Sequence, residues 1–151
     1  MDKYIRNIFC IVVLFVVSVY GAWKPCGGPA TVAKVLCNGE DVNKKTECIL
    51  TKGKNATLQV TFKTTKGYKS VSSVCHGIIG GVPVPFEGID EKGCDGMNPK
   101  CPIAAGITET FTTNIFVKSI YPSIRLVIKW EEVDASSNED MWCLLIPAQI
   151  K

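Results

Sequence analysis

Apolar and polar residues alternate along several stretches of this chain. TLQVTFKTT (57–65) places Leu58, Val60 and Phe62 on one side and Gln59, Thr61 and Lys63 on the other. SIRLVIKWEEV (123–133) sends Ile124, Leu126, Ile128 and Trp130 one way, and MWCLLIPAQI (141–150) does the same with Trp142, Leu144, Ile146 and Ala148. A period of two is the mark of a half-buried strand. ATVAKVL (30–36), SVSSVCHGII (70–79) and TETFTTNIFV (108–117) repeat the pattern more weakly. Turn formers separate these runs: KGKN at 52–55, KGY at 66–68, Tyr121-Pro122, and DASSNED at 134–140. No segment of helical period longer than about two turns stands out. Many short strands between turns predict an all-β sandwich or barrel.

The run HGIIGGVPVPF (76–86) does not fit simple alternation. It is apolar apart from His76, and it carries Gly77, Gly80, Gly81, Pro83 and Pro85. Proline removes a ladder donor and belongs on an edge strand or at a bulge. Gly80 and Gly81 let the chain turn or bulge. The run therefore predicts a stiff, extended, apolar edge. It either caps one end of the core or lines the mouth of an apolar cavity that meets a lipid surface.

The first residues read differently. MDKYIR carries Lys3 and Arg6, and IFCIVVLFVVSVYG follows as one apolar run. A basic start, an apolar run and small residues at its end describe a signal peptide. The expected organisation is a leader over 1–21, cut after Gly21, and one domain over 22–151. The run is short for a membrane span of about 20 residues.

Removing Lys3, Arg6 and Asp2 with the leader leaves 15 basic and 13 acidic residues. Residues 24–69 hold nine lysines and three acids, whereas 70–151 hold six basic and ten acidic residues. Such an imbalance is either an ordinary solvated surface or a basic face that favours an anionic membrane or an acidic partner. The small net charge and the leader argue against nucleic acid. Of eight cysteines, Cys10 belongs to the leader, so seven remain. In a secreted chain they form a disulfide framework with one left over. Cys37 to Cys48 and Cys94 to Cys101 are spaced as short loops, but spacing alone leaves the connectivity open.

Catalytic chemistry is hard to assemble from these residues. The single histidine, His76, adjoins Cys75. Neighbours on a strand point to opposite faces, so the two side chains do not meet as nucleophile and base. CDGMNPKC (94–101) has six residues between its cysteines, where a zinc knuckle has two to four. No enzyme activity, metal or cofactor is expected. Asn55-Ala56-Thr57 is an N-glycosylation acceptor placed in a turn.

Four phrases together carry a resemblance: CHGIIGGVPVPF (75–86), GCDGMNPKCPI (93–103), VKSIYPSIRLVIKWE (117–131) and WCLLIPAQI (142–150). In this order they resemble the ML lipid-recognition family, over essentially the whole of 22–151. The resemblance implies an immunoglobulin-like β-sandwich of two antiparallel sheets with an apolar ligand between them. It implies disulfides Cys26–Cys143, Cys37–Cys48 and Cys94–Cys101, with Cys75 a buried free thiol. It places ligand-binding residues at Phe86, Val117 and Tyr121, with Val84, Ile124, Leu126, Trp130, Phe62 and Val60 as further wall positions.

Two residues depart from the sterol-binding pattern, Phe116 in place of proline and Leu144 in place of tryptophan, and both are counted with the ligand wall. Membrane contact falls on His76, Gly77, Ile78 and Gly81. The function implied is a secreted or lysosomal-lumen carrier. It would bind one sterol-like molecule and pass it to membranes or a membrane transporter, acting as a monomer. Carriers of fatty acids or semiochemicals, and immune modules recognising bacterial lipids, are the rival readings.

Overall fold

The protein is described here by a computed structural model covering residues 22–151. The leader expected over 1–21 lies outside the described residues. The strands are β1 (Lys24–Gly27), β2 (Thr31–Cys37), β3 (Glu40–Asp41), β4 (Cys48–Leu50), β5 (Asn55–Lys63), β6 (Val71–Ile79), β7 (Val82–Pro85), β8 (Met97–Asn98), β9 (Thr108–Phe116), β10 (Arg125–Asp134) and β11 (Asp140–Ile150). One helical turn, α1 (Val42–Lys45), and a 3₁₀ turn at Gly93–Gly96 complete the described elements.

These strands form two sheets. The first runs β1-β11-β10-β6-β7, with β4 joined to β11; the second runs β3-β2-β5-β9-β8. Every pairing is antiparallel except that of β4 with β11. The antiparallel two-sheet sandwich is thus the one expected. Alternation decides which residues enter it. Leu58, Val60 and Phe62 on β5 are buried, as are Phe111 and Ile115 on β9, Ile128 and Trp130 on β10, and Leu144 and Ile146 on β11. Trp130 and Trp142 meet edge-to-face at 5.0 Å, and Phe111 packs 5.3 Å from Trp130. These rings fill the middle of the space between the sheets.

Two local features depart from plain alternation. Four successive residues of β11, Met141 to Leu144, are buried. The register explains this: Glu132 pairs with Trp142 but Val133 with Asp140, so Met141 is an extra residue in a bulge. A bulge turns neighbouring side chains to the same side. The other feature is Glu132, which follows Trp130 by two and so faces inward, fully buried. The Ser73 hydroxyl donates a hydrogen bond to Glu132 Oε1, while Oε2 has no partner among the described residues. Gly93 covers the carboxyl so closely that a Cβ there would lie 2.3 Å from Oε2.

The disulfides are Cys26–Cys143, Cys37–Cys48 and Cys94–Cys101. Cys75 is free and buried.

Candidate functional site

The segment 76–86 is a hairpin at one end of the sandwich. Ile79 and Val82 pair across the two residues Gly80 and Gly81, whose φ angles are +57° and +82°. A two-residue turn with both φ positive matches strand twist, and glycine adopts it without steric cost. The prolines fit for a related reason. Phe86 N donates to Cys75 O, so even-numbered residues on this strand turn their N–H towards β6. Pro83 and Pro85 take the intervening positions, where the missing N–H faces away from the sheet. β7 is thereby an edge strand that pairs on one side and offers few donors on the other.

On β6 the inward residues are Ser73, Cys75, Gly77 and Ile79, and the outward ones Val74, His76 and Ile78. Inside the hairpin lies a hollow of about 220 Å³. Gly77, Ile79, Val84, Pro85 and Phe86 form one wall; Tyr121, Pro122, Ile124, Leu126 and Ile150 form the rest. Tyr121 carries the single polar side-chain group among these lining residues. Phe86 and Tyr121 meet edge-to-face at 5.7 Å. Beside them Lys118 pairs with Glu87, so that the chain after β7 touches the chain after β9. Lys118 holds the Glu87 carboxyl below its usual range, and Glu87 holds the lysine above its own. Both groups are in water, and such a contact opens readily.

Apolar side chains flank the opening. Val82 is 61% exposed and Val84 44%, and Ile120 on the opposite side is 86% exposed.

The structure brings together five of the residues implied as ligand contacts: Phe86, Val84, Tyr121, Ile124 and Leu126. Val60, Phe62, Trp130, Leu144 and Val117 are buried and do not line this hollow; Phe62 lines the wider hollow against the second sheet instead. Phe116 is not brought to the site. It has the opposite parity to Ile115 and lies on the outer face of the second sheet, 47% exposed. Gly77, implied in membrane contact, instead lines the hollow. Its missing side chain leaves the space between Leu126 and Phe86, since a Cβ there would lie 3.0 Å from Leu126 Cδ1 and 3.8 Å from Phe86 Cδ2. His76 and Ile78 face outward, and Gly81 is at the exposed hairpin tip. Ile79, Pro85, Pro122 and Ile150 were missed by sequence reasoning. The parity of Cys75 and Gly77 was a sufficient signal for Ile79.

The chemistry available is that of contact. Cys75 and His76 lie on opposite faces of β6. Burial, with the Glu131 charge adding to it, pushes the Cys75 thiol up to about 12, so the thiolate is scarce at neutral pH. Glu131 and Asp140 approach Cys143, but that sulfur is bonded to Cys26, and Lys129 pairs with Glu131 at 3.2 Å. The donor set does not suit a metal. A wider hollow of about 700 Å³ lies against the second sheet, with Thr31, Thr61, Lys63, Thr65 and Thr108 in its walls. Ala33, Phe62 and Ala105 give it apolar lining as well, but its walls carry a lysine and several threonines where the hairpin hollow has a single tyrosine.

Comparison with known proteins agrees with this architecture. The family model of the ML domain matches residues 21–150. The ecdysteroid-regulated 16 kDa protein of Manduca sexta is 33% identical over 141 residues, covering 93% of this chain and 95% of that protein. The NPC intracellular cholesterol transporter 2 of Canis lupus familiaris is 36% identical over 132 residues, covering 85% and 84%. The crystal structure of a Niemann-Pick type C2 protein from Japanese carpenter ant superposes with a TM-score of 0.73 at 23% identity, over 85% of this chain and 98% of that one. That likeness bears on the fold: two antiparallel sheets in an immunoglobulin-like sandwich. By the family match and by these relatives, the chain is a member of the ML domain family.

Proposed function

We propose that the protein is a lipid carrier that takes one sterol-like molecule through the hairpin mouth, holds it between the sheets, and hands it to membranes. The observation that carries this reading is the apolar hollow inside the β6–β7 hairpin, open at an apolar rim. The name of the dog relative, an intracellular cholesterol transporter, points to the same ligand class. The reaction is binding and release, with no bond made or broken. A secreted or lumenal setting fits the three disulfides.

The hollow of about 220 Å³ is below the ~300–1,000 Å³ of ordinary ligand sites. Loading therefore displaces wall side chains. Phe86 and Tyr121 narrow the mouth through one ring contact, and the Glu87–Lys118 pair beside them is solvated. Behind the hollow, Cys75 and Ile128 continue the apolar wall along β6 and β10. A ligand gaining ~0.3 kcal/mol per heavy atom over a sterol's atoms reaches about −8 kcal/mol. That is roughly micromolar affinity, suited to carrying and releasing.

Transfer between membranes tests the reading. Val82 stands at the rim, 61% exposed, and is not a lining residue of the hollow. Removing a valine from a lipid surface forfeits about 1.5 kcal/mol, and an added carboxylate weakens contact with anionic lipid further. Val82→Asp is expected to slow transfer of a fluorescent sterol between vesicles by roughly tenfold or more, with equilibrium binding nearly unchanged. Equal loss of binding and transfer would place Val82 in the binding site. Absence of transfer by the wild type would end the carrier reading.

A further inference from the structure

The outer face of the second sheet carries a ladder of polar pairs between β5 and β9. Gln59 Nε2 donates to Thr112 Oγ1 at 3.1 Å, and Thr57 Oγ1 donates to Asn114 Oδ1 at 2.8 Å. The next pair breaks the series: Asn55 stands opposite Phe116. Asn55 is exposed, and Phe116 is 47% exposed. A single exposed aromatic is ordinary by itself. Its partner is what makes this one informative. Asn55 opens the acceptor sequence Asn55-Ala56-Thr57, and directly opposed cross-strand residues hold their side chains in contact range. The first residue linked to Asn55 would therefore emerge over the Phe116 ring.

We infer that Asn55 carries an N-linked glycan whose first sugar seats on Phe116. In the linkage step the Asn55 Nδ2 bonds to the anomeric carbon of an oligosaccharide held on a lipid pyrophosphate. The anomeric carbon–oxygen bond breaks, the lipid pyrophosphate leaves with that electron pair, and the amide gives up one proton. An N-acetylhexosamine has one face of C–H groups, which fits an aromatic surface better than water does. The seat has a functional consequence. β5 begins and β9 ends at the mouth end of the sandwich, since Val117 N bonds to Lys54 O there. A glycan over Phe116 covers the apolar residue on the outer face at that end. The β6–β7 hairpin and Ile120 then remain as the lipid-facing rim.

The test is a double-variant cycle on protein secreted from a eukaryotic host. Intact mass reports occupancy of Asn55, and thermal melts compare wild type, Asn55→Gln, Phe116→Thr and the pair. Loss of the glycan is expected to lower Tm by about 3 °C when Phe116 is present and to have little effect when threonine replaces it. NMR of the wild-type glycoprotein is expected to show ring-current shifts on the C–H protons of the first sugar. A bare Asn55, an equal Tm loss in both backgrounds, or unshifted sugar protons would overturn the inference. The sugar spectrum of the wild type decides the matter even if Phe116→Thr fails to fold.

Discussion

Unfolding measured at pH 5 and at pH 8 should show the protein more stable at pH 5 by about 3 kcal/mol, a difference of roughly 10 °C in Tm. The cause is Glu132. Burial pushes its carboxyl from 4.5 up to about 8, and the hydrogen bond from Ser73 offsets only part of this. A carboxyl with a raised folded-state pKa binds its proton more tightly when folded. Its contribution is fully present below pH 4.5 and is lost as pH rises through 8. Within that window the slope approaches ~1.4 kcal/mol per pH unit. Burial also raises the Glu109 and Asp140 carboxyls, which tilts the profile in the same direction. Glu132→Gln retains an acceptor for Ser73 without an ionisable proton, so it should flatten most of the slope. Parallel profiles for wild type and variant would show that Glu132 is not the source. A carrier serving an acidic lumen would gain from this arrangement.

Removing the Cys26–Cys143 disulfide should cost about 4–5 kcal/mol, more than removing either of the others. The residues are 117 apart in sequence, against 11 for Cys37–Cys48 and 7 for Cys94–Cys101. In the chain-entropy model the long closure contributes about 5 kcal/mol and the short ones about 2–3. Local structure points the same way. β1 is a short edge strand whose described partner is β11, with a register break between Pro25 and Gly27. Cys143 is buried, but so are Cys37 and Cys48, so lost core contacts do not separate these two bridges and loop length does. The comparison is urea unfolding of three double variants, each with one bridge replaced by alanines. Equal losses from all three would mean that loop length is not what sets the stabilisation.

Both expectations rest on features that the sequence disclosed unevenly. The strands were legible because half-buried strands must alternate, and all six runs identified by alternation or turn signals became strands of the sandwich. The edge character of the hairpin was legible too, since prolines two apart are compatible with only one side of a strand. The disulfide between the two ends of the domain was not. Spacing identifies short loops, and the long closure came from family likeness. Glu132 escaped notice although the parity of Ile128 and Trp130 pointed it inward, because a carboxylate is ordinarily assigned to solvent. Gly77 was assigned outward with its neighbours His76 and Ile78. A glycine gives alternation no side chain to read, so its inward face is legible only through its parity with Cys75, and packing against Leu126 and Phe86 bears that out. Phe116 enters the ligand wall only as a departure from the family pattern beside Val117, though one residue on a strand reverses the face.

That role of Gly77 supplies the most direct test of ligand binding between the sheets. Gly77→Leu adds a side chain to the hollow itself. Its nearest contact is the movable tip of Leu126, so the fold should survive, as a melt can verify. Titration with a fluorescent sterol, read by energy transfer from the buried Trp130 and Trp142, should give roughly micromolar affinity for the wild type. Overfilling a formed site costs ~1–3 kcal/mol, so affinity should fall at least about tenfold in a folded Gly77→Leu protein. Unchanged affinity in the folded variant would contradict the account, as would a wild type that binds no sterol.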